Sequence, residues 1–154
     1  MKFLSMEWWR KCQTDESIED IYAGLEGARA HDLATHDRLP LMVQEFKNRV
    51  ALHDGLFHDL RTNVNDRTVE LTLTVNMCQS GHHRCVVTYD NVSAFEVRNP
   101  GEGFSIPAGL GSLGYDEYHL LEDATIEHHI LFSSAVELVV RFSDLSYTLS
   151  EWDG

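Results

Sequence analysis

His53-Asp54-Gly55-Leu56-Phe57-His58-Asp59 places two imidazoles and two carboxylates within seven residues. Imidazole nitrogen and carboxylate oxygen are ligands for zinc or iron, and a histidine beside an aspartate is also a base with an orienting partner. A strand starting near Leu56 would send His58 and Asp59 to opposite faces, and Asp54-Gly55 equally suits a turn that ends a helix, with His53 tying it down. Two further positions are defined by alternation. His128 recurs in step with Ile126, Ile130 and Phe132, and His58 shares a register with Leu56, Leu60 and Val64. Both imidazoles are therefore expected on apolar faces. If they met beside a carboxylate, the site would have perturbed protonation. His53, Asp54, His58 and His128 form the candidate metal or small-ligand group.

Other constellations are poorer in chemistry. Cys78, His82, His83 and Cys85 offer soft ligands, but all sit around one turn, whereas a structural zinc site draws ligand pairs from two elements. An exposed polar turn with Cys85 packed inward beside Val87 is the simpler reading. Gly109-Leu110-Gly111-Ser112-Leu113-Gly114 fits the dinucleotide glycine spacing, yet no helical pattern follows to receive a pyrophosphate. No Gly-x-Ser-x-Gly elbow supplies a nucleophile, and no Asp-x-Asp-x-Asp-Gly loop supplies a calcium site. Asp116, Glu117, Glu122, Asp123 and Glu127 remain, a group of carboxylates that could face a basic partner or form a solvated edge that discourages sheet-to-sheet pairing.

The elements that must position these groups divide at His53-Asp54-Gly55. Before it, apolar spacing is helical. Ser5 can cap a short helix bearing Met6, Trp8, Trp9 and Cys12, and Asp15 or Ser17 a second with Ile18, Ile21, Tyr22 and Leu25 on one face. Gly24 and Gly27 should end or bend that helix. Pro40 opens a third, striped by Leu41, Met42, Phe46 and Val50. After the pivot the apolar residues alternate: Val69, Leu71, Leu73 and Val75, then Cys85, Val87 and Tyr89, then Phe95 and Val97. An irregular stretch from Asn99 to Gly114 precedes runs near 115–123, 125–132, 136–142 and 145–149. Strands without intervening helices call for antiparallel connections. The expected architecture is one α+β domain over residues 1–154, with helices in 1–52 packed on a curved, mainly antiparallel sheet of about seven or eight strands in 53–154, curved enough for a partial barrel.

Charge narrows the function classes. The chain carries 12 Lys+Arg against 25 Asp+Glu, a net −13. Residues 1–52 contribute −2 and residues 53–154 contribute −11. Such a field opposes nucleic acid and anionic membrane and favours cations or a basic protein. Three cysteines without a Cys-x-x-Cys pair argue against a disulfide framework. Glu7, Arg10 and Lys11 interrupt the apolar start before a signal peptide could form, and no run reaches the roughly 18 apolar residues of a membrane helix. A cytoplasmic location is expected.

The order of parts resembles small uncharacterised bacterial proteins grouped as domains of unknown function. The likeness is carried by Met1-Lys2-Phe3-Leu4, Trp8-Trp9, the pivot Leu52–Gly55, the strand Val69-Glu70-Leu71-Thr72-Leu73 and the two runs Glu127 to Phe132 and Glu137 to Leu145. It implies the α+β fold and brings no activity and no site residues. In charge and texture the chain is also similar to immunity proteins, which block a toxin. The leading expectation is a non-catalytic binder of a basic protein, without cofactor. The alternative is a small-ligand or metal-binding domain, including a hydrolase, built on His53, Asp54, His58 and His128.

Overall fold

The computed structural model describes residues 2–14, 18–77, 81–98 and 110–152. Helix α1, Met6–Thr14, starts where the Ser5 hydroxyl accepts the Trp8 N–H at 3.3 Å and the Ser5 carbonyl accepts Trp9 N–H. The expected caps Asp15 and Ser17 lie outside the described residues. Helix α2, Ile18–Thr35, runs straight through Gly24 and Gly27 rather than ending there. Its inner side is small because aromatic rings lie against it. A Cβ on Gly24 would collide with the Trp8 indole, and one on Gly27 would come within 2.7 Å of the Phe3 ring. Trp8 Nε1 also donates to the Ile21 carbonyl at 3.1 Å. Ile18, Tyr22 and Leu25, expected on the inner face, instead stand exposed. A 3-10 turn, His36–Arg38, leads through Pro40 into α3, Leu41–Arg49, whose Val43 and Phe46 are buried.

Eight strands follow: β1 Ala51–Asn63, β2 Thr68–Met77, β3 Gly81–Asp90, β4 Ala94–Arg98, β5 Leu113–Leu120, β6 Ile126–Phe132, β7 Glu137–Phe142 and β8 Asp144–Glu151. They form an α+β fold with all pairings antiparallel, as the alternation requires. The strands divide between two sheets, β1-β2-β3-β8 and β4-β7-β6-β5, and neither closes into a barrel. The division comes from two sheet changes. Asn91–Ser93 carries the chain from β3 into the second sheet, and Ser143 alone, its N–H on the Asp90 carbonyl, returns it from β7 to β8. Edge strand β1 is bridged at Leu56 to Ser112, the residue just before edge strand β5.

One apolar core joins the inner faces of both sheets, Leu71, Leu73 and Val87 from the first meeting Ile130, Val140 and Phe142 from the second. Each such side chain contributes roughly 1.5–3 kcal/mol by leaving water. Phe57 on Phe132 and Tyr89 on Phe142 are edge-to-face pairs across the layers. Strand β1 begins at Ala51, so His53-Asp54-Gly55 lies within a strand and is not a turn after a helix. Asp54 adopts a left-handed φ of 62°, and the register shifts between Ala51 and Leu56. Gly55 is required there: a Cβ would lie 2.7 Å from the Thr74 carbonyl oxygen. A second irregularity, between Phe57 and Asp59, changes which residues of β1 face inward.

Candidate functional site

Strand β5 alternates, with Asp116 and Tyr118 on one face and Tyr115, Glu117 and His119 on the other. Its Asp116–Tyr118 stretch forms one wall of a cleft of about 440 Å³. Ala28, Arg29, His31 and Asp32 of α2, Phe46 and Lys47 of α3, and residues 50–53 complete it. Both helices hold their inner sides against the sheets, so the polar ends of Lys47 and Asp32 meet as an ion pair over the opening. The Lys47 ammonium stands 4.9 Å from the centre of the Tyr118 ring.

Behind Asp116 a hydrogen-bonded chain enters the core. His128 is fully buried, with Nε2 3.0 Å from Asp116 Oδ2 and Nδ1 2.7 Å from the Tyr89 hydroxyl. Burial lowers the affinity of His128 for a second proton, opposed by the neighbouring Asp116 carboxylate. A neutral ring with these partners has one arrangement: Tyr89 O–H donates to Nδ1, and Nε2–H donates to Asp116. Burial, reinforced by Asp116, holds the Tyr89 phenol well above its usual range, so it stays a donor. Tyr118 stacks on His128 with ring centres 3.9 Å apart, its hydroxyl buried without a hydrogen-bond partner among the described residues. Asp116 is 28% exposed and opens to the cleft. Its second carboxylate oxygen accepts no hydrogen bond from the described residues. The chain thus presents a rigidly held anion to whatever enters.

On the opposite face Glu117 is buried and saturated. It accepts the backbone N–H groups of Lys2, Phe3 and Leu4, the first two at 2.8 and 3.0 Å, and His119 Nε2–H at 2.9 Å. Desolvation pushes its pKa up, but these donors outweigh it and hold the carboxyl at about 2. Trp8 and Trp9 both edge onto Tyr115 beside it, locking the amino-terminal segment to the sheet.

The four histidine and aspartate candidates do not gather. His53 and Asp54 stay adjacent at the cleft mouth, Nε2 3.6 Å from the carboxylate, with His53 Nδ1 on the Gly114 carbonyl. His58 is exposed on the outer face of the first sheet, 2.6 Å from Thr74 Oγ1 and stacked on Trp152. The irregularity in β1 turns it out of the apolar register that the alternation suggested. His128 alone faces inward. No group of three or more His, Cys, Asp or Glu among the described residues could hold a metal ion.

The acidic candidates also separate. Asp116 faces the cleft; Glu122 and Asp123 are exposed at the β5–β6 turn, where Asp123 accepts from Thr125. Glu127 lies on the outer face of the second sheet, bonded to Arg141 and to His129 at 3.0 Å. Cys85 is buried and its thiol is pushed up to about 12, which leaves it unreactive, while Cys78 lies outside the described residues. Gly111 precedes strand β5 and Gly114 lies within it, so a strand and not a helix follows the glycines; Gly109 is outside the described residues. Tyr89, Tyr118, Asp32 and Lys47 carry no local motif. Their roles arise from cross-strand and helix-to-sheet pairings such as Tyr118 opposite His128.

Fold and site together define an α+β protein of two antiparallel sheets with a cleft lined by Asp116 of strand β5 and by residues of α2 and α3. No family model matches the chain, and no curated protein matches it. A crystal structure of an uncharacterized protein from Neisseria gonorrhoeae is similar at 9% identity and a TM-score of 0.44, over 64% of this chain and 94% of that one. No helix of the described residues is long and apolar enough to cross a membrane.

Proposed function

We propose that this is a non-catalytic binding protein for a basic protein partner, with Asp116 as the anchor for a lysine or arginine side chain. The observation that carries the reading is the Asp116 carboxylate itself. One oxygen is fixed by His128 Nε2–H, and the other, at the wall of the cleft, accepts no hydrogen bond from the described residues. A preorganised carboxylate binds a cation without the cost of ordering itself first. The −13 charge steers a basic surface toward it, and exposed Glu122 and Asp123 add to that field. The likeness in charge to immunity proteins extends the reading to a toxin as that partner.

Titration with a short arginine-rich peptide tests it. Affinity should fall as salt rises, and Asp116→Asn should weaken binding by about tenfold, since the amide keeps the His128 hydrogen bond and loses the charge. Binding that ignores both salt and Asp116→Asn would refute the proposal. A second reading, a small-ligand site, is favoured by the cleft's 440 Å³, within the range of about 300–1,000 Å³ typical of ligand pockets. Agmatine separates the two: a small guanidine that binds as tightly as the peptide would assign the cleft to a small ligand.

A further inference from the structure

A second cavity, of about 340 Å³, opens where the β1–β2 turn meets the link from β3 to β4. Its floor is apolar: Val69 is buried, and Val92 and Phe95 are partly buried against the core. Thr68 and Ser93 add hydroxyls to the wall, and Arg67 stands at it.

The exposed Arg67 side chain contacts only carbonyls among the described residues. Nε reaches the Val92 oxygen at 3.4 Å and Nη2 the Asn91 oxygen at 3.5 Å, while the Arg67 carbonyl accepts the Val92 N–H at 2.8 Å. Among the described residues no carboxylate lies within ion-pair distance, although the chain holds 25 of them. The adjacent Asp66 is turned to Asn63. Arg67 also occupies a left-handed backbone conformation, φ 56°, which glycine or asparagine would adopt with less strain. An exposed guanidinium with only two long contacts to carbonyls leaves its other N–H donors available to a planar anion, and Arg matches a carboxylate bidentately.

We infer that this cavity binds a small carboxylate with an apolar tail, the carboxylate on Arg67 and the tail over Val69, Val92 and Phe95. This site is separate from the Asp116 cleft and does not depend on the function proposed for it.

Octanoate is the probe, with octanol and octylamine as controls, followed by amide chemical shifts. Octanoate should shift the amides of residues 67–69 and 92–95 and bind at least tenfold more tightly than either control. Arg67→Gly should abolish that preference while holding or raising the melting temperature, because glycine relieves the left-handed strain. Asp116→Asn should leave octanoate binding unchanged. Equal binding of octanoate and octanol, shifts centred elsewhere, or undiminished octanoate affinity in Arg67→Gly would each overturn the inference. Should Arg67→Gly fold poorly, Arg67→Gln is read instead, with loss of at least tenfold in octanoate affinity expected and an unchanged affinity refuting the site.

Discussion

At the scale of single residues, the buried hydrogen-bonded chain from Tyr89 through His128 to Asp116 makes the sharpest demands. Removing an end of such a chain costs less than removing its middle, because a buried donor or acceptor left unpaired bears its full desolvation penalty. Tyr89→Phe deletes one donor and leaves His128 Nδ1 unpaired, and should cost about 1–2 kcal/mol. His128→Leu strands both the Tyr89 hydroxyl and the Asp116 oxygen, and should cost about 3 kcal/mol or more. Urea denaturation of the two variants would test the order; equal losses would mean that the chain is not a unit. Sequence alternation alone placed His128 inward, since Ile126 and Ile130 share its face. It could not supply Tyr89, which lies 39 residues away on a strand of the other sheet.

At the scale of elements, helix α2 shows what periodicity can and cannot give. Its start was readable, but its continuation past Gly24 and Gly27 to Thr35 and its inner face were not, because the packing side consists of glycine, alanine and histidine rather than large apolar residues. Phe3 and Trp8 provide the apolar surface that Ile18, Tyr22 and Leu25 were expected to provide. Helix propensity alone would make Gly24→Ala favourable by up to about 1 kcal/mol. The added methyl would meet the Trp8 indole, so the variant should be less stable than the parent and shift tryptophan emission toward that of exposed indole. A stabilised variant with unchanged emission would place Trp8 elsewhere. The β1 irregularities were likewise hidden. Alternation assumes one phase per strand, and His58 left the apolar face because the register shifts within β1. The division into two sheets escaped for a related reason: a single residue, Ser143, turns the corner between β7 and β8, and no glycine or proline marks it.

For the whole molecule, the acidic composition and the internal use of carboxylates act in opposite directions as pH falls. Between pH 7 and the sequence pI near 4.9, protonation reduces the self-repulsion of a −13 chain, which favours the compact state. Glu117 then reverses the trend. Its carboxyl is held at about 2 in the fold, below the ordinary value of 4.5, so the unfolded chain takes up that proton first. The stabilisation is fully present above pH 4.5 and is lost as pH drops through the folded value near 2. Glu137 behaves alike: burial pushes its pKa up, but hydrogen-bond donors and nearby positive charge, the His129 hydrogen bond largest among them, outweigh it and hold the carboxyl at about 2. After allowance for solvent screening, Glu117 contributes on the order of 2 kcal/mol. Stability should therefore be greatest near pH 5 and decline toward pH 2. Glu117→Gln should lower stability at pH 7 and flatten the acid limb, because the amide oxygen can still accept the Phe3 and Leu4 N–H groups, its NH2 then faces the Lys2 N–H, and the side chain has no proton to gain. Melting temperatures from pH 7 to pH 2 would decide it: if parent and Glu117→Gln traced parallel curves, the clasp on residues 2–4 would not be the origin of the acid sensitivity.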